Sequence, residues 1–186
     1  SNVTINIAYL APDALSKENH QYSYALTMIA YLLADHKNAP LYKKIILEED
    51  LAISVGTSYS DMSRGQTNFS ISATLKDPKN EDRIVEIINS EIEKLKKGDI
   101  SAEFLEMAKN IFLIETIYSK ESYKSLAYIV GMNYTTGISL EDIVDWDERI
   151  KNVTIEDIKE AANFVFQDQK KTIGYLLPES DKLKNE

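Results

Sequence analysis

The order of apolar and polar positions changes period several times along this chain, and each change marks an element. From Val3 to Leu10 the alternation is that of a strand, with Val3, Ile5, Ile7 and Tyr9 on one side and Ala11-Pro12-Asp13 ending it. Tyr22–Ala34 (YSYALTMIAYLLA) is too continuously apolar for a surface helix and reads as a buried one. From Ala39 a short amphipathic helix follows, with Leu41 and Ile45 on one face and Lys43, Lys44, Glu48 and Glu49 largely on the other. Near Asp50 the period becomes alternating, which predicts a strand with Ile53, Val55, Thr57 and Tyr59 on one face. No Gly or Pro separates helix from strand, so the junction is expected to be tight. Asp61–Gln66 (DMSRGQ) has the makeup of a hairpin turn. Asn68, Ser70 and Ser72 then alternate with Phe69, Ile71 and Ala73 in a strand predicted to pair antiparallel with residues 52–59.

The second half reads as helical. Ser101, Ser139 and Thr154 each precede a first turn that contains acid, with apolar residues placed to staple across the cap. The helix over 81–97 ends at Gly98, a natural left-handed terminator. The helix from Ser101 is expected to run to about Tyr134, with a weak point at Gly131. Thr172–Leu177, closed by Pro178, predicts a last strand that returns to the sheet. There is no Pro-, Gly- or Ser-rich linker and no internal repeat. The expectation is a single α+β domain over residues 1–186, a mainly antiparallel sheet of about four or more strands covered on one face by helices.

Composition narrows function chiefly by exclusion. With 44% hydrophobic and 27% charged residues the chain is expected to be soluble and globular, and a chain of this length buries roughly 70% of its unfolded surface. Acidic residues outnumber basic ones 30 to 21, a net charge of -9, which argues against nucleic acid. Without cysteine there are no disulfides, thiolate metal sites or cysteine nucleophiles. No apolar run approaches a membrane span, and the chain opens on strand-like sequence without the regions of a signal peptide. The compartment stays open, bacterial cytoplasm or periplasm.

Candidate chemistry is sparse. His20 and His36 lie sixteen residues apart, whereas a helical zinc pair needs i,i+3 or i,i+4 spacing. Gly-rich phosphate loops, nucleophile elbows and Ca²⁺ loops are absent from the sequence. Carboxylates such as Glu91, or Glu156 with Glu160, fall on helix faces with Lys nearby and read as solvated. Arg64 offers a turn cation for an anionic group or a simply exposed side chain, and Trp146 an amphipathic anchor at a helix surface. The residues supply neither a catalytic nor a metal-binding set.

In order and spacing, however, several segments together carry a resemblance. They are VTINIAYLAP, YALTMIAYLLA, PLYKKIILEEDLAISV, ISAEFLEMAKN, WDERIKNVTIEDIKEAA and the closing GYLLP. Over roughly residues 3–178 the chain resembles the C-terminal, non-catalytic half-domain of the pitrilysin/insulinase-type zinc metallopeptidases, the family that includes the mitochondrial processing peptidase. The resemblance implies a fragment of a longer peptidase chain of two or more such half-domains enclosing a chamber for unfolded peptides. The active half would hold zinc through a His-x-x-Glu-His motif and a distant Glu. In the equivalent helix here, Tyr22–Ala34 has neither His nor acid, so this chain is expected to hold no cofactor. Zinc would belong to the parent protein or a partner.

Supporting halves of the family often place an Arg and a Tyr, seven residues apart, against the substrate. By the same resemblance those positions fall on Ile46 and Ile53, neither of which can donate a hydrogen bond. They are the candidate substrate contacts, as an apolar wall; the competing reading makes both of them buried packing residues. The expected role is a non-catalytic domain that completes the peptide chamber and supports a zinc-bearing domain or subunit, within a homo- or heterodimer. The parent would be a zinc endopeptidase and this chain alone inactive. The alternative is an inactive structural or assembly module with no part in proteolysis.

Overall fold

The computed structural model describes residues 3–16, 19–119 and 122–177. Among them four strands form one antiparallel sheet in the order β2-β3-β1-β4: β1 (Thr4–Ala11), β2 (Ala52–Tyr59), β3 (Thr67–Leu75) and β4 (Lys171–Leu176). The α+β class, the antiparallel pairing of β2 with β3 and the return of the last strand all stand as expected. Pro178, expected to close that strand, lies outside the described residues.

The alternation along the strands decides which face is covered. Ile7 pairs with Ile71 and Ile173, and Tyr9 with Phe69, so apolar side chains line up across the sheet on one side. That side packs under α1 (Tyr22–Ala34) and α7 (Ile155–Val165), with α3 (Glu81–Lys97) beside α7. Phe69, Ile7, Ile71 and Leu26 are fully buried there, and Tyr9 and Phe69 each meet the Phe166 ring edge-on at 5.0 Å. Ten of the thirteen residues of α1 are buried, as its unbroken apolar run requires.

Among the described residues the other face of the sheet carries no covering element and no charge. One row across it reads Gly56, Ser72, Asn6, Gly174, and the next reads Ser58, Ser70, Ala8, Thr172. Such small, hydroxyl-rich side chains leave a flat surface.

Local chemistry sets the helix starts. Ser139 accepts from the Asp142 N–H ahead of α6 (Leu140–Lys151), and Thr154 and Asp157 form a reciprocal capping box. Ser101 accepts from Phe104 N–H at the start of α4 (Ala102–Ser119), and Gly98 ends α3 with φ at 70°. The length of one helix departs from expectation. The helix from Ser101 does not reach Tyr134: α4 ends at Ser119 and a separate α5 (Tyr123–Thr136) begins. Ser122 adopts an extended backbone and caps α5 by accepting from Ser125 N–H. A serine so placed offers the backbone an alternative to helix, while Gly131 sits inside α5 without breaking it.

Candidate functional site

The two positions singled out by resemblance lie where the backbone departs from regular structure. α2 (Pro40–Tyr42) is a single turn that runs into a π-helical segment, Lys43–Glu48, in which Ile46 sits. Leu41 and Ile45 are fully buried, as the amphipathic pattern requires. Glu49 N–H reaches back to Lys44 C=O at 3.0 Å and Leu51 N–H to Ile45 C=O at 2.8 Å, which closes the wide turn. Asp50 then takes φ at 52°, so a non-glycine residue supplies the left-handed turn that converts helix into strand. Its carboxylate is bonded by Lys76, while Arg83 holds Glu49 through two hydrogen bonds of 2.6 and 2.8 Å. The Arg83 contact keeps the Glu49 carboxyl below its usual range. Asn80 donates to Leu51 C=O at 2.9 Å, so the start of α3 pins the junction from outside.

The strand that follows does not keep the predicted face. Ala52 pairs with Leu75 and Ser54 with Thr74, a register shift that leaves Ile53 as an extra residue. Ala52 and Val55 both point to the core, and Ile53 is turned out, 53% exposed. The expectation that Ile53 shares a face with Val55, Thr57 and Tyr59 is corrected by this bulge. A period-2 pattern cannot signal one inserted residue. The buried-packing reading fails at Ile53 for the same reason, while Ile46 is half-buried against the core.

Other candidates acquire definite roles. Glu91, expected to be solvated, is buried with Lys44 Nζ at 2.5 Å and Lys94 Nζ at 3.0 Å. The Glu91 hydrogen bond raises the Lys44 pKa. A cavity of about 350 Å3 opens beside this cluster, lined by Leu32, Leu33, Phe104 and both lysines. Arg64 is not idle: Nε and Nη2 donate to the carbonyls of Thr136 and Thr135, both at 3.1 Å, at the C-terminal end of α5. Trp146 packs on Phe112 with ring centroids 5.7 Å apart, in keeping with an anchor.

The histidines stand at opposite ends of α1, whose thirteen residues span about 20 Å. Burial lowers the pKa of His36, with Glu115 pulling the other way, and its ring lies 5.1 Å from that of Tyr31. Among the described residues no group of three or more His, Asp or Glu is gathered for a metal, and no helix is long and apolar enough to cross a membrane.

Comparison with known proteins agrees with this geometry. The sequence profile of the peptidase M16 inactive domain matches residues 1–112. No curated protein sequence matches the chain significantly. Among solved structures, a protease from Helicobacter pylori superposes with a TM-score of 0.82 at 22% identity, over 95% of this chain and 41% of its own. The inactive peptidase domain of a candidate zinc protease from Bordetella parapertussis gives 0.81 at 18% identity, over 98% and 96% of the two chains. A chain of the Complex III2 structure from Candida albicans gives 0.75 at 16%, over 94% and 42%. At these identities the likeness is one of fold, and the chain spans about two fifths of the length of the Helicobacter protease. The chain belongs to the peptidase M16 family, as its inactive domain.

Proposed function

We propose that this chain is the non-catalytic part of a longer M16 zinc peptidase, which completes the peptide chamber and supports the zinc-bearing half. The observation that carries the reading is the bulge at Ile53. It turns an isoleucine toward solvent on β2, an edge strand among the described residues, and the backbone of such an edge is what takes up extended peptide. π-Turns and bulges that persist at particular positions are typical of functional sites. Here they fall at Ile46 and Ile53, the positions onto which the resemblance carries the Arg and Tyr of the family's supporting halves. Both side chains are apolar in this chain, so their contribution is a wall for apolar substrate side chains, with the hydrogen bonds supplied from elsewhere.

Co-purification from the native source tests the reading. A stable complex with a zinc-bearing half that carries His-x-x-Glu-His, and peptide hydrolysis by that complex, is the expected outcome. A parent reading frame without that motif, and no such partner, would sink it. Within the complex, Ile53→Ser is expected to lower kcat/KM for peptides with apolar side chains by about three- to tenfold, with smaller effects on polar peptides. A second reading, an inert assembly module, draws on the fold shared with a chain of Complex III2. It predicts instead a stable oligomer with no hydrolysis.

A further inference from the structure

The cavity beside Glu91 has two unlike walls. One is apolar, formed by Leu32 and Leu33 of α1, Leu95 of α3 and Phe104 of α4. The other is charged, and its charges do not balance. The Glu91 side chain is 5% exposed and is the shared acceptor for two ammonium groups, Lys44 Nζ at 2.5 Å and Lys94 Nζ at 3.0 Å. Two cations on one carboxylate leave one unit of positive charge at the cavity wall. Lys44 keeps its proton there, since the Glu91 hydrogen bond raises its pKa. The other charged groups of the lining stand at the rim: Lys43 and Glu48, both exposed, pair at 3.7 Å, and Asp99 is exposed. Water and salt screen charges at the rim far more than those beside a buried carboxylate.

An ammonium group has three donors. Glu91 takes one from Lys44 and one or two from Lys94, so among the described residues donors remain on both lysines for a further acceptor. The start of α4 adds to the same field. Ser101 and Phe104 line the cavity, and the N-terminal end of a helix of 18 residues carries partial positive charge. Water can accept from the lysines but has nothing to offer Leu32, Leu33 and Phe104. A volume of about 350 Å3 is that of a small-molecule site, and an occupant that suits both walls has hydrocarbon at one end and a single negative charge at the other. A phosphate monoester would bring about two charges against a surplus of one. We propose that this cavity is a binding site for an apolar monocarboxylate, its acid bridging Lys44 and Lys94 and its chain lying on Leu32, Leu33 and Phe104. Nothing in this site calls on Ile46, Ile53 or a zinc-bearing half.

Titration of the isotope-labelled chain with sodium decanoate, followed by amide NMR, tests the site. The expected result is saturable shifts confined to the cavity, at residues such as Leu33, Lys94 and Phe104, with a dissociation constant at or below about 1 mM. Lys94→Met keeps the aliphatic stem and removes the ammonium group. It should weaken decanoate about tenfold or more, while Lys94→Arg retains binding. The Lys94 side chain is 43% exposed and Lys44 still serves Glu91, so the variant is expected to keep the parent's amide spectrum, which separates lost binding from lost fold. Lys44→Met gives the same loss through the other lysine. Two arms distinguish the sources of such an acid. Decanoate without acetyl-Phe-Leu assigns a free acid, acetyl-Phe-Leu without decanoate assigns the carboxyl end of a peptide, and either one or both upholds the site. Decanamide bound as tightly as decanoate, shifts centred elsewhere, an affinity unchanged in Lys94→Met, or no saturation by either acid overturns it.

Discussion

Phe69 and Ile114 are both apolar side chains on regular elements, yet one is sealed beneath the Phe166 ring and the other stands half in water. The difference extends to the regions around them. The sheet, α1, α3 and α7 close on one another, with the strands' apolar side chains matched across their registers and α3 and α7 ended or started by explicit caps. The region of α4 and α5 presents isoleucines and tyrosines outward, beside a cleft of about 390 Å3 lined by Leu126, Ile129, Val130 and Val144. One region satisfies its own hydrophobic surface; the other, among the described residues, leaves much of it exposed. Exposed apolar patches of this extent mark interaction sites. On the proposed reading the domain acts through what it is attached to, so the unfinished region is where its function is to be sought.

The sharpest test of this contrast is a pair of truncations. Phe69→Ala should cost about 3–5 kcal/mol of unfolding free energy in denaturant titration, whereas Ile114→Ala in the chain alone should stay within about 0.5 kcal/mol. Equal losses at the two sites would erase the distinction. Next in size is the buried ion cluster that ties α3 to the π-segment. Glu91→Ala removes the shared partner of Lys44 and Lys94 and should cost about 1–3 kcal/mol. The junction itself is tested at Asp50. Asp50→Val places a β-branched side chain at a positive φ and should cost about 1–2 kcal/mol, while Asp50→Gly should be close to neutral.

The smallest effect is a pH dependence. Burial depresses the pKa of His36, so the unfolded chain takes up that proton more readily than the native one. Stability should therefore be full above about pH 6.5 and fall as the pH drops through that value toward the native pKa. NMR titration should find His36 below its ordinary value, and His36→Phe should flatten this limb of the stability curve. An unshifted His36 would contradict the burial argument.

How much of this was legible in the sequence depended on the kind of signal. Regular periods showed the strands and α1, and hydroxyl caps with following acids located the starts of α4, α6 and α7, because those devices act over a few residues. The irregular features were hidden. A π-turn and a one-residue bulge leave composition unchanged, so nothing in the PLYKK pattern before Ile46, or in the alternation through Ile53, announces them. Asp50 at positive φ stood where a glycine would have been noticed. Glu91 looked solvated because its neighbour on the helix, Lys94, was visible, whereas Lys44, forty-seven positions earlier, meets it only in the fold. Likewise Arg64 could not be matched to the end of α5 without the tertiary structure. The outward stripe of α4 was present in the sequence but merged with the inward one into a single apolar helix.

Reconstitution most directly tests the proposal that this chain acts in catalysis only as the complement of a zinc-bearing half. Hydrolysis of a quenched fluorescent peptide is measured with the chain alone, with the zinc-bearing half alone and with the two combined. The expected result is no turnover and no stoichiometric zinc for the chain alone, and a rate for the combination about tenfold or more above that of the zinc-bearing half alone. One tightly bound zinc per chain with hydrolysis by the chain itself, or a rate unchanged by its addition, would contradict it.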